Sequence, residues 1–322
     1  MKHEHYGSLE DIELREIDKP VPGNHEVLIR VEAAGLHIGD CFSVRGEPRL
    51  MRVETGFLRP KTGIPGFDVA GVVEAVGTKV SRFCPGDEVF GTTQGACAEY
   101  ATAPEDTLAL KPGNLTFEQA ATVPTSGLAA LHALRDVAGV QAGQTVLING
   151  ASGGVGTFAI QLAKSFGAKV TGVCSGRNLE LVQSIGADHV IDYTSRDFTR
   201  EETSYEVILD NKENRSLADC RKALTSDGTL ILNSGTGARG LAMMIRLFKP
   251  LILSPFTKQN LRRYLSVANH ADLTFLKDSI EAGKIIPVID RIYPLAETTA
   301  ALEYIEKGHA RGKVAVTLQP GK

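Results

Sequence analysis

The sequence predicts an α/β protein in which a doubly wound parallel sheet domain is inserted into a second, β-rich domain. Three observations predict it. Between about residues 117 and 265, short β-branched runs alternate with segments of helical period, the order that produces a parallel sheet covered by helices on both faces. Residues 1–116 read instead as short strands separated by turn signals. The last part, residues 266–322, mixes amphipathic helices with strands, so the two ends of the chain can combine into one second domain.

In the first segment Ile12 to Ile17 alternates apolar and charged residues, and Glu26 to Ala34 does so almost strictly through Val27, Ile29 and Val31. Asp68 to Val76 and Glu88 to Phe90 add two more strands. Pro22-Gly23-Asn24, Pro65-Gly66, Pro85-Gly86-Asp87 and Pro112-Gly113-Asn114 supply the turns. Such spacing suggests a small barrel or folded sheet. Arg45 to Lys61 has no period and reads as a loop beside the site.

From Phe117 the period becomes helical, over Glu118–Val123 and Ser126–Val137. Thr145–Asn149 is a buried strand, Thr157–Phe166 a helix stopped at Gly167, and Lys169–Val173 the next strand. His189–Asp192, Glu206–Asp210 and Thr229–Asn233 continue the strands, with a helix over Ser216–Ala223 and a Gly-rich turn from Ser234 to Gly240. In the tail, Asp272–Ala282 and Thr298–Lys307 read as helices, and Val288–Tyr293 and Lys313–Leu318 as strands.

Bulk composition narrows the function. The 322 residues are 43% hydrophobic and 23% charged with a formal net charge of -3, an ordinary globular balance. Without basic runs there is no electrostatic footprint for nucleic acid. Five cysteines without a CxxC pair fit a reduced, cytoplasmic setting. MKHEHYGSLE lacks the apolar core of a signal peptide, and Arg246, Lys249 and Pro250 interrupt Leu241 to Phe256 short of the roughly 20 residues a membrane span needs.

The chemistry points to TVLINGASGGVG, Thr145 to Gly156. A helix N-terminus carries unpaired N–H groups that suit a pyrophosphate, provided no side chain blocks the approach. Gly150, Ala151, Ser152, Gly153, Gly154, Val155 and Gly156 lie where strand becomes helix, and Ala151-x-Gly153-x-x-Gly156 keeps the dinucleotide spacing with its first glycine replaced. A plain tight turn between strand and helix is the alternative. At the end of the second strand an NAD site offers a carboxylate. This chain offers Ser175 and Arg177, a hydroxyl and a guanidinium that suit a 2′-phosphate, so NADPH is expected over NADH. The competing reading makes Arg177 a solvated residue opening the next helix.

These motifs, with Pro65-Gly66-x-Asp68-x-Ala70-Gly71-Val72-Val73, Pro85-Gly86-Asp87-Glu88-Val89-Phe90 and Gly308-His309-Ala310-Arg311-Gly312-Lys313-Val314, resemble the medium-chain dehydrogenase/reductase superfamily. Nearly the whole chain is covered, and the similarity is greatest to the zinc-free quinone oxidoreductase (zeta-crystallin-like) branch. The resemblance implies a Rossmann domain inserted into a GroES-like β-barrel domain, NADPH as cofactor, and hydride delivered to a small hydrophobic carbonyl, enone or quinone. The superfamily's zinc enzymes place a Cys in the segment matching Ala34 to His37 and a His directly after Gly66; here stand His37 and Phe67. One imidazole cannot supply the three protein ligands of a catalytic zinc, so no metal is expected.

The carbonyl oxygen then needs another hydrogen-bond donor. His37 is either that donor or a structural histidine bonded to backbone. Asp40 reads as a loop organiser before an acid, and Thr125 is a second hydroxyl candidate. Tyr193 matches a tyrosine that in related reductases reaches the adenosine phosphate, or is an ordinary strand-end residue; Ser234 follows the last strand as a further cofactor contact. Ala129 and Asn211-Lys212-Glu213-Asn214 depart from the relatives' pattern, and the opening MKHEHYG lacks their apolar first strand, which predicts a frayed edge. Phe42 to Leu58 and Leu241 to Phe256 are expected to line the substrate pocket, and the resemblance implies a homodimer. A metal-free aldehyde or alcohol dehydrogenase, and a nucleotide-binding relative with a structural, sensor or RNA-associated role, are the alternatives.

Overall fold

The computed structural model describes residues 1–47, 52–233 and 257–318. Ser234, the turn to Gly240 and the stretch Leu241 to Phe256 lie outside the described residues. The chain divides into two compact units, one of Met1–Leu128, Val267–Gly283 and Pro287–Lys322, the other of Ala129–Ser266 with Lys284–Ile286.

The first unit is organised on β1 (Glu26–Leu36), in which all but two residues are buried. It pairs antiparallel with β2 (Asp68–Val76), which pairs in turn with β3 (Glu88–Thr92). Two strands that the sequence did not announce complete this part: β4 (Tyr100–Pro104) pairs with β1, and β5 (Leu108–Leu110) with β3. Both are short, β4 being built mostly of Ala and Thr and β5 of only three residues, so their alternation is weak. Ile12 to Ile17 is no strand. Only Glu13 pairs, with Lys2; Ile12 is buried in the core, but Leu14 and Ile17 are 63% and 44% exposed, so the alternation does not continue as a buried face.

The opening residues are not frayed. His3 N–H donates to Gly63 O at 2.7 Å, and Leu9 is buried in the core. Two helices, α1 (Ile38–Arg45) and α2 (Arg52–Thr55), occupy ground expected to be loop; α1 buries Asp40 beside Cys41 and Val44, which hides its apolar stripe. A short α3 (Phe117–Ala121) lies against β1, where a Cβ on Gly35 would stand 2.0 Å from Ala121 O. That contact draws the helix into the first unit and moves the boundary from residue 116 to Leu128, within α4 (Pro124–Leu131).

The second unit is a six-stranded sheet: β6 (Thr145–Asn149), β7 (Lys169–Cys174), β8 (His189–Asp192), β9 (Tyr205–Asp210), β10 (Leu224–Leu232) and β11 (Asn260–Arg262). Its order is β11-β10-β9-β6-β7-β8, with every neighbouring pair parallel. After β8 the chain returns to the far side of β6, so the order reverses between β6 and β9. Ligands of such sheets bind at the carboxyl ends of the strands at that reversal. Three helices connect strands: α5 (Gly154–Ser165), α6 (Leu179–Ser184) and α7 (Leu217–Lys222). α5 begins three residues before the expected Thr157, since Gly154 and Gly156 are themselves helical. The chain then returns to the first unit as α8 (His270–Glu281), β12 (Ile289–Pro294), α9 (Thr298–Glu306) and β13 (Lys313–Thr317). β13 pairs with β1, so the last strand completes the first sheet.

Candidate functional site

The turn after β6 is built by what its glycines lack. Gly150 has φ of +79°, a conformation other residues resist, and the Gly150 and Ala151 N–H groups both donate to Val173 O on β7. A Cβ on Gly156 would stand 2.2 Å from Gly150 O, so only glycine lets α5 approach the turn. Gly153 caps α5 with no side-chain hydrogen bond. The first N–H groups of the helix therefore keep their donor capacity. Ser152, Gly154 and Val155 lie on the same turn.

Beside it, at the carboxyl ends of β7 and β8, come Ser175, Arg177 and Tyr193. Tyr193 N–H donates to Cys174 O at 3.0 Å, which ties the two strand ends together. Arg177 is exposed and Tyr193 is 47% exposed. The residue that sequence reasoning passed over is Asn178, 5% exposed, whose Nδ2 donates to Ser152 Oγ at 2.9 Å and to Ser175 Oγ at 3.2 Å. Its Oδ1 is buried without a partner. A carboxylate is also near, but from β8: Asp192 accepts from the Thr194 N–H and hydroxyl and from Gly176 N–H, which hold it below the usual range.

On the other side of β6, Asn149 Nδ2 donates to Asp210 Oδ1 at 2.7 Å and Asn214 Oδ1 at 3.0 Å. Asp210 Oδ1 also takes the Lys212 and Glu213 N–H groups, fixing the Asn211 to Asn214 loop. Glu213 adopts φ of +47°, and its carboxylate meets Arg263 at 2.6 Å. The polar segment that departs from the family pattern is thus a braced turn at the strand reversal.

In the first unit, His37 caps α1. Its Nδ1 accepts Gly39 N–H at 2.9 Å, and its own N–H donates to Asp40 Oδ2 at 2.7 Å. A neutral imidazole whose Nδ1 accepts carries its proton on Nε2. That Nε2 is buried and unpartnered, and the ring stacks on Phe67 with centroids 5.7 Å apart. His37 therefore has both roles open to it from sequence: it caps a helix, and it keeps a donor in reserve. Asp40 is fully buried and gives Oδ1 to Gly66 N–H at 3.1 Å; burial raises its pKa. With both oxygens taken by backbone, it organises the loop. Thr125 donates its N–H, at 3.0 Å, and its hydroxyl to Asp68 Oδ1, so its proton is already committed. Asp68 Oδ2 lies 3.4 Å from Lys313 Nζ, and both side chains are buried. Asp68 and Lys313 stood in the motifs quoted above, yet their spacing gave no sign that they meet.

The four buried thiols have no footing for chemistry. Burial pushes the Cys41, Cys97 and Cys220 thiols up to about 12 and Cys174 up to about 11, leaving negligible thiolate at neutral pH. Nor does the donor set suit zinc. Phe67 offers no ligand, the Asp40 oxygens and His37 Nδ1 are occupied by backbone N–H groups, and among the described residues no three His, Cys, Asp or Glu converge on a point. No described helix is long and apolar enough to cross a membrane.

Comparison with known proteins agrees with this architecture. The alcohol dehydrogenase GroES-like domain family matches residues 23–133, and the family described as zinc-binding dehydrogenase matches residues 185–316. The quinone oxidoreductase of Sus scrofa is 34% identical, covering 91% of this chain and 88% of its own. The chloroplastic NADPH-dependent alkenal/one oxidoreductase of Arabidopsis thaliana is 33% identical over 97% of this chain and 77% of its own. Among solved structures, the quinone oxidoreductase from Coxiella burnetii superposes with a TM-score of 0.83 at 28% identity, covering 99% of this chain and 98% of that one. The glycine turn, the strand order and these relatives together place the chain in the medium-chain dehydrogenase/reductase superfamily, on its quinone oxidoreductase branch.

Proposed function

We propose that the protein is a zinc-independent, NADPH-dependent oxidoreductase that reduces a quinone or an α,β-unsaturated carbonyl. The observation that carries this reading is His37 Nε2–H, a buried donor without a partner, at a position where the superfamily's zinc enzymes have a ligand segment. Relatives named as quinone and alkenal/one oxidoreductases support the substrate class. Val53, Phe57 and Leu58, exposed within the Phe42 to Leu58 stretch, support a hydrophobic one.

The residues that would hold the cofactor fit it. The N-terminus of α5, from Gly154 and Val155, offers N–H groups without a side-chain cap to the pyrophosphate, and Ser152, Ser175, Arg177 and Tyr193 stand where an adenosine phosphate is expected. When bound, the reduced nicotinamide supplies hydride to the electrophilic carbon of the substrate. Negative charge then appears on the carbonyl oxygen. His37 Nε2–H is the donor this reading assigns to that oxygen; its ring is held by the Gly39 N–H and by stacking on Phe67, and preorganised donors are the effective ones. With an enone the hydride would go to the β-carbon and the α-carbon would take its proton from water, so that one enone, one NADPH and one proton would give one saturated ketone and NADP⁺. Asp40 holds the His37 loop and carries no proton in this scheme. A cytoplasmic setting and a homodimer belong to the same proposal; the dimer rests on the resemblance, and a monomeric mass at micromolar concentration would remove it.

The test is NADPH oxidation followed by absorbance with quinones, enones, aldehydes and simple alcohol couples, beside NADH and with and without a chelator. Turnover of quinones or enones that prefers NADPH and survives the chelator is the expected result. Loss of activity with the chelator overturns zinc independence. NADPH binding without turnover of any acceptor replaces the enzyme with a nucleotide-binding protein.

A further inference from the structure

We infer that Asn178 is a positioning residue that sets the preference for NADPH over NADH by turning two serine hydroxyls outward as donors; this rests on the cofactor reading above. A serine hydroxyl has one proton and two acceptor lone pairs. Asn178 Nδ2 spends its two N–H groups on Ser152 Oγ and Ser175 Oγ, at 2.9 and 3.2 Å. Each oxygen is thereby made an acceptor on its inner side, and its proton is left to find another partner. A phosphate monoester offers three strong acceptor oxygens and no competing donor when ionised, whereas the 2′-hydroxyl of NADH takes one such bond and brings its own proton.

The placement supports a device of this kind. Ser152 belongs to the glycine turn after β6 and Ser175 to the end of β7, 23 positions later in the chain, and Asn178 joins them across that gap. Buried polar atoms are nearly always paired, yet Asn178 Oδ1 is left without a partner inside a side chain that is 5% exposed. The amide is held for its Nδ2 contacts at the expense of its oxygen. Asp192, a carboxylate against this strand end, would repel a phosphate. Its charge is met by Thr194 and the Gly176 N–H, and Arg177 adds a cation on the exposed side.

The experiment is a titration of the full chain with NADPH and with NADH, read by nicotinamide fluorescence, for the wild type, Asn178→Ala and Asn178→Asp. Losing oriented donors to a charged group is expected to weaken NADPH about tenfold to a hundredfold in Asn178→Ala, with NADH within about threefold of wild type. Asn178→Asp turns the serine protons inward and adds a negative charge, so its NADPH loss is larger still while NADH binding persists. NADH binding by the variants serves as the check that they fold. Should they not fold, Ser152→Ala with Ser175→Ala is expected to lower the NADPH-to-NADH preference by the same factor. Equal loss for both cofactors, or an unmoved ratio in either set of variants, overturns the role of Asn178. Failure of the wild type to bind any nicotinamide nucleotide overturns the cofactor reading itself, and the wild-type titration shows this before any variant is tested.

Discussion

Around Gly150 to Gly156 the molecule makes room by leaving side chains out, whereas around His37 it folds charged and polar side chains inward from four separate parts of the chain. The first region is backbone, one turn of consecutive residues between β6 and α5. The second joins His37 and Asp40 to Gly66 on one side, and Thr125 to Asp68 and Lys313 on the other. A cradle of backbone tolerates no added atom at its closest approach. A buried charge cluster tolerates no missing partner.

Gly156→Val tests the first statement at its tightest point. With a Cβ 2.2 Å from Gly150 O, the start of α5 must move away from the turn, and NADPH binding is expected to fall by more than about a hundredfold, roughly 2.7 kcal/mol. Gly113→Ala, outside the turn, is the control, because its Cβ would meet only Glu281 Oε1, at 3.8 Å, an ordinary contact. Equal affinities for the two variants, measured by NADPH titration, would break the idea that the turn is shaped by close approach.

Lys313→Met tests the second statement. It strands the Asp68 carboxylate, fully buried, with only the donors of Thr125. Removing one partner of a buried ion pair costs about 3–5 kcal/mol, and urea unfolding is expected to show a loss of that size. Adding Asp68→Asn to it should recover part of the loss, since the uncompensated charge is then gone. A single variant as stable as wild type would mean that the cluster is not held by its charges.

The same contrast explains what was legible in the sequence. The glycine turn is a run of consecutive residues with a fixed spacing, and β6, β8 and β2 are likewise read from local runs of residues, so they emerge with the bounds the pattern predicts. The Asp68–Lys313 pair spans 245 positions, and no periodicity relates residues so far apart. Asn178 was overlooked because an asparagine next to an arginine at a helix start reads as solvated; its burial comes from tertiary packing. α1 was overlooked for a related reason, since it turns Asp40 inward where an apolar residue was expected. The Ile12 to Ile17 strand failed from the opposite cause: its alternation was real, but no sheet edge received it.

His37→Ser sharpens the comparison inside the first unit. Serine is a good N-cap and can replace Nδ1 in accepting the Gly39 N–H, so stability should stay within about 1 kcal/mol of wild type. It lacks the Nε2–H, so kcat with an enone or quinone is expected to fall about a hundredfold, the loss typical of one preorganised donor, with NADPH affinity unchanged. Stopped-flow and steady-state rates would separate the two. Unchanged kcat with unchanged stability would leave His37 as a cap alone.

The smallest effect is expected from Arg177→Ala, and its value lies in how it responds to salt. Arg177 is exposed, and interactions of exposed charges are screened within about 8 Å at physiological ionic strength. NADPH binding should weaken only about three- to tenfold at low salt, NADH binding should not change, and the difference between variant and wild type should fade as salt approaches 1 M. The hydrogen bonds of Asn178 to Ser152 and Ser175 are part-buried and join uncharged groups, so the penalty for losing them should persist through the same titration. If both penalties faded together, the 2′-phosphate preference would be an electrostatic property of the surface. If only that of Arg177 fades, the buried amide and its two hydroxyls hold the discriminating geometry, and the guanidinium strengthens it from outside.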